Sequence, residues 1–440
     1  MNTQSTLVGL FKETYADNFI ESWAFMAKLA KKISFVAREA QPGNLYHQPV
    51  DVQFEQGISI AAAGAVPGAA GGPVFFSPTA GQSQDAQLAG AQIIGRSQVT
   101  YESIARSANS KAAFKAATQF VVRRLSQAVL KRLEIQLLHG QRGVGIVSSL
   151  ATETGSSGNY STAVTITDAE WSTGIWAGMV GAYVDVYQSD LVTVRQATNV
   201  NTGVTSGTTG WCRVSAVDQA NKTVTLNYGT ARSGWVAGDV LFFSAGNSVT
   251  SLASEMAGLD AITRLSASSS TFQNINPATY DLWRANQYST ATGTLSFAKL
   301  LEAAGLVASF GETDLLCAVI SPRAYEVINS DIAALRQYDV SYSKDTNSNG
   351  SAKLKFVSQV GELEIMPHAF QKDGLCHMFA PAEALRVGAT DISFITRQGS
   401  EDKLILESST AAAAEMRCYS NQGLLVTQPR HTVLMAGINY

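Results

Sequence analysis

The sequence contains little charge. Asp, Glu, Lys and Arg together make up 15% of its 440 residues, whereas hydrophobic residues make up 45%. A chain this apolar cannot remain disordered, and its length predicts two or three folding units. The formal net charge of −3 does not indicate a nucleic-acid-binding protein, which would usually be strongly basic, so we expect any contact with DNA to be local and weak.

Cysteines are also few, and no two of them form a CxxC pair. The four are Cys212, Cys317, Cys376 and Cys418. This spacing indicates neither a zinc site nor a disulfide framework, and we expect reduced thiols in a protein made in the cytosol. Met1–Leu10 lacks the basic and the apolar regions of a secretory signal, which agrees with that expectation.

Motifs of known catalytic sites are missing. The sequence has no GxSxG, no Walker loop and no HExxH, and its five histidines are far apart in the chain. His368, Cys376 and His377 form the best local cluster, either as a nucleophile with its base or as metal ligands. Neighbours on a strand point to opposite faces, which favours a structural role for this cluster. We therefore expect no enzyme activity, no cofactor and no metal site.

An uncharged stretch follows an alternating one in the first fifth of the chain. Val50, Val52 and Phe54 alternate with polar residues and predict a strand. Ile58–Phe76 carries no charge, but it cannot span a membrane as a helix because its glycines and prolines would break that helix repeatedly. We expect two strands closed by a long flexible tip, which together form an arm.

Two segments before residue 140 have helical periodicity. Phe19–Ala37 repeats apolar residues at intervals of three and four, which predicts an amphipathic helix. A longer helix is predicted to begin at Tyr101 or after Ser110 and to end before Gly140, with its apolar residues in one stripe. Its basic residues either contact DNA or form a solvated surface, and their scatter around the axis favours the surface. They include Lys115, Arg123, Arg124 and Lys131.

Short β-type runs dominate from Thr162 to Ser251. A Gly/Ser/Thr-rich stretch, Ser148–Ser161, precedes them and predicts a linker. The runs are separated by Asn/Gly/Thr turns, which predicts a small barrel or sandwich. Four tryptophans form either a carbohydrate-binding face or part of a core, and large aromatic residues at alternating strand positions favour the core. They are Trp171, Trp176, Trp211 and Trp235.

The rest of the chain alternates between helices and strands. Ser254–Ile262 and Ser296–Phe310 have helical periodicity, whereas Leu315–Ile320 is a continuous apolar run typical of a buried strand. Ser321-Pro322 is expected to open a helix. Alternating runs around Gly361 predict a hairpin, and further strands are expected to follow it.

The order of these elements resembles that of the major capsid proteins with the HK97-type fold, across nearly the whole chain. Three short motifs are similar to that family. They are the run Arg132-Leu133-Glu134 followed by Leu137-Leu138-His139-Gly140, the turn Val319-Ile320-Ser321-Pro322-Arg323, and the Gly361 hairpin with Met366-Pro367. Their order and spacing together carry the resemblance.

The resemblance implies an α+β protein of the HK97-type capsid fold. Its parts would be an N-terminal arm, an extended β-hairpin loop, a long spine helix, peripheral and axial domains, and an inserted β-rich domain. The expected boundaries are 1–49 for the arm and its helix, 50–97 for the extended loop, 98–161 for the spine and the first peripheral part, 162–251 for the insertion, 252–400 for the axial domain with returning peripheral segments, and 401–440 for C-terminal strands.

For function, the resemblance implies a structural protein that assembles as pentamers and hexamers into an icosahedral shell around the double-stranded DNA of a tailed phage. It would assemble in the bacterial host cytoplasm and remain in the virion, with a portal, a scaffolding protein and a decoration protein as partners. An encapsulin-like nanocompartment shell and a tail adhesin are the alternatives. Contacts between subunits are expected at the loop tip, at Gly57, Gly64, Gly68, Gly71, Gly72, Phe75 and Phe76.

Two features depart from the prototype of that family. No lysine occurs between Lys32 and Lys111, so isopeptide links from a lysine on the extended loop cannot form, and we expect a shell held by non-covalent contacts. Met1–Pro49 is too short for a large scaffolding segment, so scaffolding is expected from a separate protein.

Overall fold

The structure is a computed structural model whose chain divides into two compact units. It describes residues 27–37, 45–60, 62, 77–102, 117–156, 158–191, 193–196, 212–229, 231–232, 234–243, 255–268, 271–311, 313–330, 354–359, 361–394, 406–407 and 413–440. The first unit comprises Met1–Ala27, Ile93–Lys131 and Ile392–Ser420, and the second comprises Lys28–Gln92, Arg132–Asp391 and Asn421–Tyr440.

Helices and strands alternate along the described residues. The helices are α1 Leu29–Lys32, α2 Ala117–His139, α3 Thr173–Trp176, α4 Leu259–Ser266, α5 Phe297–Ala308 and α6 Pro322–Ser330. The strands are β1 Ser34–Ala37, β2 Leu45–Gln53, β3 Gln82–Ala89, β4 Ala91–Thr100, β5 Gly145–Leu150, β6 Thr154–Ser156, β7 Asn159–Ile166, β8 Val184–Tyr187, β9 Val194–Gln196, β10 Cys212–Asp218, β11 Thr223–Tyr228, β12 Val240–Phe243, β13 Asn286–Ser289, β14 Leu315–Ile320, β15 Leu354–Ser358, β16 Gly361–Pro367, β17 Leu375–Phe379, β18 Ala384–Phe394, β19 Leu406–Glu407, β20 Ala413–Val426 and β21 Val433–Ala436.

The first unit packs part of α2 against strands β4 and β20. Strand β4 pairs with β20, and β19 also pairs with β20, in the antiparallel orientation. Gly95 permits the close approach of strand and helix, because a Cβ atom there would lie 2.6 Å from Cγ2 of Val129. The buried core of this unit consists of Val99, Leu125, Val129, Met416 and Cys418.

The second unit contains a mixed sheet in the order β13-β21-β17-β14-β16-β15. β14 runs parallel to β16 and antiparallel to β17. From Leu316 to Ile320 this strand is buried throughout, so the prediction from its continuous apolar run is confirmed. Helices α5 and α6 share a core with the sheet through Leu300, Val307 and Ala324.

A second sheet of this unit has the order β10-β11-β7-β5-β12-β8-β9, with β6 also paired to β7. The linker predicted at Ser148–Ser161 is wrong, since this stretch holds the end of β5, β6 and the start of β7. Gly155 lies within β6 with φ of +102°, and Gly158, with φ of +85°, lies in the turn between β6 and β7. Serine and threonine fill strand positions here, so the composition was misleading and the sheet begins before residue 162.

The helix predicted at Phe19–Ala37 is shorter than its periodicity suggests. Within the described residues, α1 ends at Lys32 and Ser34–Ala37 forms β1, which pairs parallel with β18 from Leu385. Backbone hydrogen bonds to a neighbouring strand favour the extended conformation over the helical period at these residues. The part before Ala27 lies outside the described residues.

Several predicted element boundaries are confirmed. Ser296 caps α5, because its Oγ accepts a hydrogen bond of 3.4 Å from the Lys299 amide. Pro322 opens α6, and the hairpin of β15 and β16 turns at Gly361, where φ is +129°. The helix predicted from Ser254 begins only at Leu259, since the residues before it pack against the end of α2.

Candidate functional site

Strands β2 and β3 form an antiparallel hairpin, in which Leu45 lies opposite Ala89 and Val50 opposite Gln84. The two strands end at Gln53 and Gln82, and a bridge between Gln56 and Thr79 extends the pairing beyond them. This is the extended hairpin that the alternating pattern predicts, although β2 begins five residues earlier than Val50.

Other residues of the second unit contact strand β3 between Gln82 and Gln87. The Tyr280 hydroxyl donates a hydrogen bond of 2.6 Å to Gln82 and accepts one of 3.2 Å from Gln84. The backbone N–H of Gln87 donates a hydrogen bond of 3.0 Å to the backbone carbonyl of Gln273. The side-chain amide of Asn274 donates one of 3.3 Å to the backbone carbonyl of Asp85. The position of the strands is therefore fixed by polar contacts on one side.

The far end of the hairpin exposes large apolar side chains. Phe54, Ile58 and Ile60 are 72%, 76% and 90% exposed. Three such side chains within seven residues form an apolar segment, which we call the apolar hairpin end. Gly57 lies inside it with φ of +120°, and a Cβ atom there would lie 3.0 Å from the Pro78 Cα. Burial of this end against another surface would remove it from water.

Gly57 is the one predicted tip residue that the structure describes. The other six, Gly64, Gly68, Gly71, Gly72, Phe75 and Phe76, lie outside the described residues. Subunit contact at the tip therefore stays a prediction.

The second predicted surface is the set of basic residues on α2. Arg123 and Arg124 are exposed and Lys131 is half-buried, whereas Lys115 lies outside the described residues. Their contact with DNA stays a prediction.

The end of α2 explains the motif that runs from Arg132 to Gly140. The Arg132 guanidinium lies 3.6 Å from the centre of the Phe243 ring, and burial lowers its pKa to about 10. Leu137 and Leu138 are completely buried. A Cβ atom at Gly140 would lie 2.1 Å from the Met256 carbonyl oxygen, so this position requires glycine.

Glu134 in the same motif forms a buried polar centre with α1 and His368. Its carboxylate accepts hydrogen bonds of 2.7 Å from the Ala30 amide, 3.3 Å from the Leu29 amide and 2.9 Å from His368 Nε2. The two amides open α1 and have no partner within that helix. His368 Nδ1 accepts from the Phe370 amide at 3.2 Å, which places the ring proton on Nε2.

His368, Cys376 and His377, grouped in the sequence, do not converge in the structure. His368 belongs to the polar centre, and Cys376 lies in the core of the mixed sheet, where burial raises the pKa of its thiol. His377 points elsewhere, as alternation along β17 predicts. A nucleophile paired with its base is therefore not formed by these three residues.

Sequence reasoning missed a cluster of His139, Asp260 and His377, which we call the histidine cluster. These residues come from the end of α2, the start of α4 and the middle of β17, and all three are buried. One potential ligand atom from each lies within 4.8 Å of the others. No local spacing signals the cluster, because its members are more than one hundred residues apart in the sequence.

The tryptophans of the β-rich sheet are core residues. Trp171, Trp176 and Trp235 are buried, and the rings of Trp171 and Trp176 stack with centroids 6.4 Å apart. The core interpretation is confirmed for these three, whereas Trp211 lies outside the described residues. They do not form an exposed carbohydrate-binding face.

Among the described residues, none of the helices has the length and hydropathy that a membrane crossing requires.

Comparison with known protein families finds no match, and no curated protein matches the chain. Solved structures do match over its full length. A chain of the Cyanophage A-1(L) capsid asymmetric unit has a TM-score of 0.55 at 11% identity, with 100% of both chains covered. A capsid chain of a native GTA particle has a TM-score of 0.48 at 8% identity, with 100% of both covered. A chain of Mycobacterium phage Bobi has 0.48 at 9%, with 99% of this chain and 98% of that chain covered.

The cyanophage chain alone among these three exceeds a TM-score of 0.5, and it establishes the fold. The protein therefore has the fold of a phage capsid protein, and the predicted α+β HK97-type fold class is confirmed. At 11% identity the likeness concerns the fold, and function is argued separately below.

Proposed function

We propose that the chain is the major capsid protein of a tailed phage, a structural protein that assembles into an icosahedral shell. One observation carries the proposal: the fold matches a phage capsid chain across 100% of both chains. Pentamers and hexamers of one chain are the expected building blocks, and double-stranded DNA is the expected content.

The apolar hairpin end supports this function. A monomer would leave Phe54, Ile58 and Ile60 in water, whereas a neighbouring subunit in a shell would cover them. Each subunit of a closed shell touches several others, so weak contacts of this kind add up through multivalency. Since the loop stretch carries no lysine, these contacts are proposed to be non-covalent.

The β-rich sheet from β5 to β12 is proposed to correspond to the inserted domain, with its beginning moved to Gly145. The proposed spine and first peripheral part, 98–161 in the prediction, would then end before Gly145, and the divisions 1–49, 50–97, 252–400 and 401–440 are proposed unchanged. A separate scaffolding protein, a portal and a decoration protein are the proposed partners, and the basic residues of α2 are the proposed weak contact with packaged DNA. The proposed site of assembly is the cytoplasm of the bacterial host, with the virion as the final location.

The alternative of a tail adhesin loses its main support. Its working part would be an exposed aromatic face, and Trp171, Trp176 and Trp235 are buried. A nanocompartment shell shares the ability to form closed particles, so the content of purified particles separates it from a phage capsid.

Electron microscopy tests the proposal directly. We would express the full chain with and without a scaffolding protein and examine it by negative stain, with Phe54→Ser/Ile58→Ser/Ile60→Ser as the variant. The wild type is expected to form closed shells or rings of five and six, and the variant to remain soluble without closing shells. Val180→Ser/Val236→Ser is the matched control, because these side chains are 63% and 49% exposed in segments that connect elements of the β-rich region. A stable wild-type monomer in both conditions would overturn the proposal.

A further inference from the structure

The histidine cluster joins three elements of the second unit at a buried position. His139 Nδ1 lies 4.0 Å from Asp260 Oδ2, too far for a hydrogen bond, and the rings of His139 and His377 are 5.7 Å apart. Each of the three residues is at most 2% exposed. Two imidazoles and a carboxylate are the ligand types of protein sites in which three side chains hold a first-row divalent metal ion.

From this geometry we propose that the histidine cluster binds one divalent transition-metal ion, with Zn²⁺ as the preferred ion. The ligands are His139 Nδ1, one ring nitrogen of His377 and a carboxylate oxygen of Asp260. Three protein ligands leave one position of a tetrahedral ion for water. The proposed site is buried and goes beyond the proposed shell function.

The hydrogen bonding of His139 already suits a ligand. Its Nε2 lies 3.1 Å from the Phe370 carbonyl oxygen and donates to it, so the lone pair is on Nδ1, the atom that faces Asp260. A backbone carbonyl that holds the second ring nitrogen is the usual support of a metal-binding histidine, because it fixes the tautomer and the ring orientation.

His377 supplies an independent observation. Neither of its ring nitrogens has a hydrogen-bond partner among the described residues, and the side chain is 1% exposed. His139 Nδ1 is unpartnered in the same sense. Buried polar atoms without partners are rare in folded proteins because their desolvation is not compensated. Coordination of an ion would satisfy both residues at once.

The protonation states are those that ligands need. Burial lowers the pKa of His139 and lowers that of His377 to about 3, so both rings are neutral near pH 7. Arg264, which donates to the Asp260 carboxylate at 2.6 Å, favours the ionised form and acts against the effect of burial on the pKa of Asp260. The carboxylate is therefore ionised, and no proton has to leave before an ion binds.

Among the cations near the cluster, Arg264 and Lys372 are each paired with a carboxylate. Arg264 Nε donates to Asp260 Oδ1 at 2.6 Å, which leaves Oδ2 on the side of His139. Lys372 is buried and lies 2.5 Å from Glu170. Binding also requires contraction, because ligand atoms around a tetrahedral zinc ion with bonds of about 2.1 Å are about 3.4 Å apart. The three ligand atoms now lie within 4.8 Å of one another. Side-chain movements of about 1 Å would bring them to the spacing of a tetrahedral ion.

The ion would fasten the last residue of α2 to α4 and to the mixed sheet. A site that exists only in the folded chain stabilises that chain in proportion to the logarithm of free metal concentration. The melting temperature should therefore rise with added Zn²⁺.

Cobalt is the probe for the test, because Co²⁺ takes the same ligands and its absorption reports their geometry. The full chain is freed of metal with a chelator and titrated with Co²⁺, and Zn²⁺ is then added in competition. We expect one Co²⁺ per chain, visible bands of a four- or five-coordinate ion, no thiolate charge-transfer band, and displacement by Zn²⁺. The melting temperature should rise by several degrees with Zn²⁺.

Two variants and a control complete the design. His377→Asn and Asp260→Asn each remove one ligand and should abolish both the bands and the thermal shift. His431→Asn is the matched control, because His431 is also buried but is held by Glu383 at 2.6 Å, outside the cluster. This variant should bind Co²⁺ as the wild type does.

The wild-type chain alone can already overturn the proposal. Folded wild-type chain that binds no stoichiometric Co²⁺, or that shows a thiolate band from a cysteine, overturns the metal site. Bands that persist in a folded His377→Asn chain also overturn it. Shell formation is a separate measurement, so chain that binds the ion and forms no shells contradicts the proposed function alone.

Discussion

The two halves of helix α2 carry similar residues in different surroundings. From 121 to 131, Arg123 and Arg124 are exposed, and just Leu125 and Val129 are buried. From 132 to 139, every residue except Arg132 and Gln136 is buried, including the polar Glu134 and His139. A charge in the first half is solvated, whereas one in the second half needs a fixed partner. Substitutions should therefore cost far more stability in the second half.

Removal of the Glu134 carboxylate is expected to have the largest effect. Glu134→Ala leaves the Leu29 and Ala30 amides and His368 Nε2 without their acceptor in a buried place. At roughly 1–3 kcal/mol for each unsatisfied group, the free energy of unfolding should fall by about 3 kcal/mol or more. Denaturant unfolding of the full chain measures this change.

Two further variants sharpen this first prediction. Glu134→Gln keeps one acceptor oxygen and should lose less than Glu134→Ala. Glu302→Ala removes an exposed glutamate that accepts from Tyr288 and should stay within about 0.5 kcal/mol of wild type. A loss below about 1 kcal/mol for Glu134→Ala would refute the role of the polar centre.

A methyl group at Gly140 is expected to have the next largest effect. The added Cβ atom would lie 2.1 Å from the Met256 carbonyl oxygen and 2.6 Å from that of Gln136, and both are backbone atoms. Gly140→Ala should therefore lower the free energy of unfolding by about 1–3 kcal/mol through overpacking.

The control for this second prediction should change stability in the opposite direction. Gly305 lies inside α5, and its added Cβ atom would meet just the end of the Gln359 side chain at 3.0 Å. Gly305→Ala should raise the free energy of unfolding by about 0.5–1 kcal/mol, because alanine is the better helix former. Equal effects of the two changes in thermal unfolding would contradict the close packing at Gly140.

The difference between the two halves of α2 shows where sequence reasoning ends. The helical period and Gly140 located the end of α2, but the partners of Glu134 are 104, 105 and 234 residues away. No periodic pattern encodes such distant contacts. The histidine cluster is hidden for the same reason, since α2, α4 and β17 meet only in the folded chain.

Local patterns succeeded where local chemistry decides. The helical period from Ser296, the proline at the start of α6 and the apolar run of β14 each depend on neighbouring residues. They failed where tertiary pairing overrides composition, as in the strands at Ser148–Ser161 and at Ser34–Ala37. The hairpin was predicted from alternation, but the exposure of Phe54 and Ile58 required the structure.

A smaller effect is expected in the first unit, where a carboxylate is held by exposed arginines. Arg96 lies 2.7 Å and Arg417 2.6 Å from Glu415, and these hydrogen bonds lower its pKa to about 2. A lowered pKa stabilises the fold above the ordinary value near 4.5, and this contribution is lost as the pH falls from there toward 2.

Arg96→Gln should remove part of this stabilisation. The pKa of Glu415 would rise toward its ordinary value, so acid unfolding followed by circular dichroism should begin at higher pH, by a few tenths of a unit. Arg213→Gln on the β-rich sheet serves as the comparison and should leave the acid transition of Glu415 in place. An unchanged transition in Arg96→Gln would show that Arg417 alone holds the carboxylate.

The smallest effect on stability is expected on the exposed half of α2. Arg123→Glu and Arg124→Glu each reverse one exposed charge, and the free energy of unfolding should stay within about 0.5 kcal/mol of wild type. If these residues face packaged DNA, each reversal should weaken DNA retention in heated particles, and the loss should shrink as salt screens the charges. Lys31→Glu, an exposed reversal on α1, should leave retention unchanged. Equal retention in all three would favour a merely solvated surface, and the contrast between the two halves would then concern stability alone.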